Sequence, residues 1–251
     1  TYSMASIIGA PIASLLLLLA PRAPLFFPCV ALLIAFFFLT RVPVTARART
    51  STRSMLSDLR GGVGIIWGRP TLRRNFIVTT PSIAGQAALF VSAPIIARNL
   101  TGSLAATGLI LGSMAAGGII ATLVLIRTPV QRADRTIVVA TIFMGCGMVT
   151  AGFAPLLPIA MLGAFMLGAG NPAQLSASFL VRNRESGEDM RALVMTTFGS
   201  LRTTSFALGT AIFGALSFLG VPIVIALGAL MYIGSVGVGL MIKPHLQWRT
   251  T

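Results

Sequence analysis

Eight stretches of this chain, residues 3–20, 24–40, 76–97, 103–126, 137–154, 157–181, 193–217 and 221–242, are apolar over close to the length a helix needs to cross a bilayer. That length is roughly 20 residues. Runs of this kind leave few folds open. Inside hydrocarbon no water satisfies the backbone, so only helices and closed barrels span it, and these runs have helical rather than strand length. The expectation is an all-α polytopic membrane protein with about eight transmembrane helices. Composition agrees: 55% of the 251 residues are hydrophobic, 10% are charged and the mean hydropathy is +0.91. A soluble domain carries about 25% charged residues.

The formal net charge of +14 would suggest nucleic acid in a soluble protein. Here the basic residues gather at the ends of apolar runs, where they set topology, so the expected partner is the lipid bilayer and not nucleic acid. Alternate connections hold the arginines: a stretch at 41–75, then Arg127, Arg132 and Arg135, then Arg182, Arg184 and Arg191, then a tail with Lys243 and Arg249. The opposite set holds only Arg22 and Arg98. The first set is therefore expected on the cytoplasmic side, with both chain ends there, which an even number of spans requires. Cys29 and Cys146 lie in apolar runs without a spacing partner, and His245 sits in the tail, so no disulfide framework, metal site or cofactor is indicated. The chain opens on Thr1-Tyr2-Ser3 with no basic segment and cleavage motif, so no signal peptide is visible and a fragment is the expected reading.

Residues 41–75 carry eight arginines and read as a cytoplasmic linker. Within it, Met55, Leu59, Val63 and Ile66 recur at helical spacing while Arg53, Ser57 and Arg60 fall elsewhere, the pattern of an amphipathic helix on an anionic leaflet. A basic connector without structure is the competing reading, which Gly61, Gly62 and Gly64 favour toward the end. The organisation is then 1–40 as the last two helices of an N-terminal half, 41–75 as linker, and 76–251 as a six-helix C-terminal bundle with a short tail. Arg98-Asn99 closes one helix as Arg182-Asn183 closes another, each before a glycine-bearing turn, which hints at two inverted three-helix units and a 2 + 3 + 3 arrangement.

Several motifs resemble the major facilitator superfamily, in the branch of bacterial exporters similar to the enterobactin exporter. Leu56-Ser57-Asp58-Leu59-Arg60-Gly61-Gly62 followed by Trp67-Gly68-Arg69-Pro70-Thr71-Leu72-Arg73 is similar to that branch's central linker, with Gly61 where glutamate is usual. Met190-Arg191-Ala192-Leu193-Val194-Met195 resembles the segment before the eleventh helix, with Ala192 and Leu193 in place of Gly and Arg, and Ala207-Leu208-Gly209 resembles the Pro-Leu-Gly that follows. Asp134-Arg135 stands where a second copy of the family's loop motif would fall, though Thr136 to Val139 do not continue it. In the first run, Ser6, Ala10-Pro11 and Ser14-Leu15 replace the antiporter signature without its glycines. The resemblance implies helices five to twelve of a twelve-helix fold in a bacterial inner membrane, with the missing N-terminal helices as partner.

Polar residues in the middle of apolar runs need a partner, a cavity or water. Thr79, Ser82 and Gln86 share one helix face beside Pro81, and Asn171, Gln174 and Ser178 share another beside Pro172. These faces are expected to meet one another or a polar cavity. The resemblance implies that both helices contribute to a central substrate cavity. Arg202, ten residues past Ala192, is expected about 15 Å along its helix, facing a cavity or snorkelling to the headgroups. Gln86, Asn171, Gln174 and Arg202 are thus the substrate-cavity candidates. Gly108, Gly112 and Ala116 form a four-residue stripe expected to pack against another helix. Asp134 and Arg135 are candidates for a conformational latch, with Asp134 expected to pair with Arg132 or Arg135 or to cap a helix; a solvated loop acid is an equal alternative.

All five acids, Asp58, Asp134, Glu185, Glu188 and Asp189, fall in expected connections, and no phosphate-cradling motif or nucleophile with a base is present. Enzyme activity is not expected. With the resemblance, the expected function is secondary transport by alternating access, the export of a small amphipathic or anionic compound. The alternatives are a truncated, non-transporting scaffold that assembles with partners, and a membrane enzyme acting on lipid through Arg202 and Asn171.

Overall fold

The computed structural model of the protein describes residues 30, 33, 34, 36, 37, 55–128 and 130–242. The expected spans over 3–20 and 24–40, apart from five helical residues between 30 and 37, lie outside the described residues, as do residues 41–54 of the linker and the tail from 243. The described chain forms helices α1 (Met55–Gly68), α2 (Pro70–Thr101), α3 (Ala106–Arg127), α4 (Ala133–Gly152), α5 (Leu157–Glu185), α6 (Glu188–Ala215) and α7 (Val221–Met241), with a 3₁₀ turn at Leu216–Leu219 before α7. No strand occurs among the described residues.

Four of these helices, α2, α3, α4 and α7, are long and apolar enough to cross a membrane. This falls short of the eight spans expected. Two of the eight lie outside the described residues; α5 and α6, at 29 and 28 residues, have ample length but not the apolarity. The reason is local. Asn171 and Gln174 interrupt the apolar part of α5, and Arg202-Thr203-Thr204-Ser205 interrupts α6.

Boundaries also move. The helix expected from 76 starts at Pro70, where a proline is pre-set for the first helical turn, so the last six residues of the linker are helical. It continues through Pro81 and Pro94 and ends at Gly102, whose φ of 72° lets its amide return to the Arg98 carbonyl at 2.8 Å. Likewise α6 starts at Glu188 rather than near 193.

Helix α2 runs through the middle of the assembly and touches all six other described helices. Its broadest contacts are with α7 and α6, while α5 lies between α4 and α3. By contrast, α5 and α6 meet only narrowly. The core divides by level. One cluster joins Ala87 to Ala97 of α2 with Met148, Ala160, Leu167, Phe213 and Tyr232; the other joins Ile66, Leu72, Ile137, Val181, Val194, Phe198 and Val236. The second cluster gathers the starts of α2, α4 and α6 with the ends of α5 and α7, so the arginine-bearing connections share one end of the bundle.

Glycines set the closest approaches. A Cβ on Gly147 of α4 would lie 2.6 Å from the Gly163 carbonyl oxygen and 2.7 Å from the Leu167 amide nitrogen of α5. Only hydrogen fits there. On α3 the buried positions are Ala106, Ile110 and Gly117; Gly117 lies against the Phe165 carbonyl of α5, and Ser113 donates to the Met161 carbonyl at 2.9 Å. The expected stripe Gly108, Gly112 and Ala116 is rotated from Ser113 and Gly117 by one residue, about 100°. Ala116 is exposed, and a Cβ on Gly112 would meet nothing within 4 Å, so that stripe is not the packing face among the described residues.

The expected amphipathic helix exists as α1, and its glycines do not break it. Over residues 60–68, Gly62 and Ile66 are buried and Val63 and Ile65 half-buried. Gly62 abuts the Thr197 side chain and Ile66 joins the Phe198 cluster, so α1 docks on protein, at the start of α6. A lipid-facing apolar stripe on Met55, Leu59, Val63 and Ile66 therefore does not describe its second half.

Candidate functional site

Two of the expected polar faces meet. The Asn171 Nδ2 donates to Gln86 Oε1 at 3.3 Å, and the Gln174 Nε2 donates to Ser82 Oγ at 3.1 Å and to Thr141 Oγ1 at 2.7 Å. Farther along, Ser178 Oγ donates to Asn75 Oδ1 at 2.8 Å. These contacts form a ladder along α2 and α5, with α4 joining through Thr141. Thr79 stands apart from the cross-links, its hydroxyl turned back to the Asn75 carbonyl. Gln86, Ser82, Gln174, Ser178, Thr141 and Asn75 are all buried, while Asn171 is half-buried.

Arg202 extends the ladder to α6. Its Nη2 donates to Asn171 Oδ1 at 3.1 Å, fixing the asparagine so that its nitrogen faces Gln86. Because α6 begins at Glu188, Arg202 lies fourteen residues in, about 21 Å along the axis. The expected 15 Å rested on a later start. Three of the four cavity candidates, Gln86, Asn171 and Arg202, thus form one connected chain across α2, α5 and α6, and the fourth, Gln174, anchors the fully buried level beside it. Where α5 and α6 meet so narrowly, this contact is carried by side chains.

The ladder ends on a residue that sequence reading left among the topology signals. Arg182 is 3% exposed; its Nη2 donates to Ser178 Oγ at 2.7 Å, and its guanidinium lies 4.1 Å from the Phe198 ring centre and 5.1 Å from that of Phe179. Phe198 in turn meets Phe76 edge-on at 5.8 Å, and Phe76 meets Trp67 at 5.9 Å. One aromatic chain therefore ties α1, α2 and α6 to the arginine of α5. Asn75, Thr141, Arg182 and Phe198 were all missed. Two had a signal: Asn75 continues the Thr79 face one turn back, and Arg182 continues the Ser178 face one turn on.

The latch candidates part company. Asp134, in the first turn of α4, pairs with Arg184 at the end of α5 across 3.8 Å, not with Arg132 or Arg135 as expected, and it does not cap the helix. Arg184 also holds Glu185 at 3.2 Å. The reason is that α4 starts beside the end of α5, which brings a basic residue of another connection nearer than the flanking ones. Arg132 and Arg135 instead line a groove of about 370 Å³ between α4 and α5. No cluster of three or more metal-binding side chains occurs among the described residues.

No protein-family model matches the chain, and no curated protein matches it. The family reading rests on the motifs quoted above. What the described residues supply is an all-helical, membrane-embedded bundle with a polar seam at the α2, α5 and α6 contact.

Proposed function

We propose that this chain is part of a secondary transporter of the major facilitator type, exporting a small amphipathic or anionic compound across a bacterial inner membrane by alternating access. The observation that carries the reading is the Arg202–Asn171–Gln86 chain. If α6 lies in the membrane, Arg202 sits about 21 Å from its start, where an arginine costs about 2.5–3.5 kcal/mol on insertion scales and calls for a polar partner or an anionic ligand. One of its partners is the neutral amide of Asn171. Interhelical hydrogen bonds in membranes average about 0.6 kcal/mol, so an anionic group entering the seam displaces Asn171 at small cost. The narrow contact between α5 and α6 suits a seam that opens and closes, while the glycine-set crossings keep α3, α4 and α5 together as one body.

The test is efflux of carboxyfluorescein, an amphipathic carboxylate, from proteoliposomes holding the complete natural protein. Arg202→Ala is expected to lower efflux at least tenfold with membrane insertion unchanged, and Gln86→Ala and Asn171→Ala to lower it less. Unchanged efflux in all three variants contradicts the site assignment. No efflux above protein-free vesicles from the wild type, for this and a panel of other amphipathic anions, favours the scaffold reading.

A further inference from the structure

The groove holding Arg132 and Arg135 contains none of the three residues of the Arg202–Asn171–Gln86 chain. Its walls are Val139, Ala140 and Phe143 of α4 and Ala169, Gly170 and Ala173 of α5. Small residues on α5 leave the space. Val139 is 55% exposed and Phe143 40% exposed, so the groove opens on the outer flank of the bundle, where a membrane-embedded protein meets lipid. The two arginines sit at one end of it only. They make no ion pair among the described residues, since the neighbouring acid, Asp134, is held by Arg184.

We propose that this groove binds an anionic glycerophospholipid of the leaflet at the arginine-rich end of the bundle. Its phosphate sits between Arg132 and Arg135, and one acyl chain lies along Val139, Phe143, Gly170 and Ala173. Length fits this occupant. From Arg132 to Phe143 is eleven residues, about 16 Å of helix, against about 15 Å for half of a 30 Å hydrocarbon core. Charge fits as well, because basic pockets between membrane helices are attracted to acidic headgroups on that side of a bilayer. The start of α4 adds its positive helix end at the same place. A free phosphate would leave the apolar wall unused. A partner helix would leave the arginines facing hydrocarbon. The site is independent of the export reading.

Native mass spectrometry of the intact protein in detergent, titrated with dioleoyl-phosphatidylglycerol or dioleoyl-phosphatidylcholine, tests this. The wild type is expected to bind phosphatidylglycerol more tightly by on the order of tenfold, since each arginine adds to the attraction. R132Q/R135Q should abolish that preference. Ala173→Leu, which fills the groove but keeps both charges, should weaken binding of either lipid. Equal affinity for the two lipids in the wild type, or a preference that survives R132Q/R135Q, overturns the proposal. Competition by glycerol 3-phosphate at the same concentration as the lipid overturns it in favour of a bare anion site.

Discussion

Arg202 reaches Asn171 across the narrow contact between α6 and α5, donating from Nη2 to Oδ1 at 3.1 Å. That bond orients the amide whose other end binds Gln86, so one side chain on α6 governs a contact between α5 and α2. Arg202→Lys keeps the charge but loses the planar fork. We expect it to retain part of the anion efflux that Arg202→Ala loses, and to retain less than half of wild-type flux. Equal flux in Arg202→Lys and wild type would mean that charge alone matters and the Asn171 geometry does not.

Gln174 is fully buried and donates to two hydroxyls. Both hydroxyls already donate to carbonyls of their own helices, Ser82 to Thr79 and Thr141 to Ile137, so losing the amide leaves no buried O–H without a partner. Its Oε1 has no hydrogen bond among the described residues. Gln174→Leu should therefore cost less than about 1 kcal/mol, whereas Gln174→Ala should cost about 2 kcal/mol or more through the cavity it leaves. Unfolding titrations in mixed micelles separate the two. A Gln174→Leu cost as large as that of Gln174→Ala would show that the hydrogen bonds dominate.

Substitutions at two glycines should differ in sign. Gly147→Ala places its methyl against backbone of α5 that cannot shift alone, so a loss of roughly 2–3 kcal/mol is expected. Gly112→Ala meets open space in the middle of α3 and should be neutral or stabilise by up to about 1 kcal/mol. Thermal unfolding in detergent reads both, and a large loss at Gly112 would restore the packing role expected from its spacing.

Arg182 and Phe198 form a buried cation–π pair with the ring centre 4.1 Å away. Arg182→Gln removes the cation while keeping a polar group that can reach Ser178. A double-mutant cycle of Arg182→Gln with Phe198→Leu is expected to show a coupling of about 0.5–2 kcal/mol. Additive effects would show that the two side chains are neighbours without mutual stabilisation.

Much of this arrangement was legible because polar residues in apolar runs are few and each must be satisfied. Spacing alone put Thr79, Ser82 and Gln86 on one face and Asn171, Gln174 and Ser178 on another, and the two faces do meet. What spacing could not supply was the third partner, since Thr141 is one hydroxyl among many in its run and only the α4–α5 crossing brings it to Gln174. The stripe on α3 misled for a related reason. Glycine and alanine spacing marks a smooth face, yet a shift of one residue decides which neighbour it meets, and Gly117 was the position against α5. Asp134 likewise needed tertiary proximity to find Arg184. Arg182 was read as a topology signal because it ends an apolar run, and its burial depends on α6 folding back over it.

The most direct test asks whether the α5–α6 seam is a water-filled path or a dry contact. In a full-length protein with Cys29→Ser and Cys146→Ser, single cysteines at Asn171, Arg202 and, as a lipid-facing control, Val149 are exposed in membranes to a sulfonated, membrane-impermeant maleimide. The account predicts modification at Asn171→Cys and Arg202→Cys and none at Val149→Cys. Protection of both seam positions, equal to that of the control, would contradict it and leave the polar ladder as helix packing only.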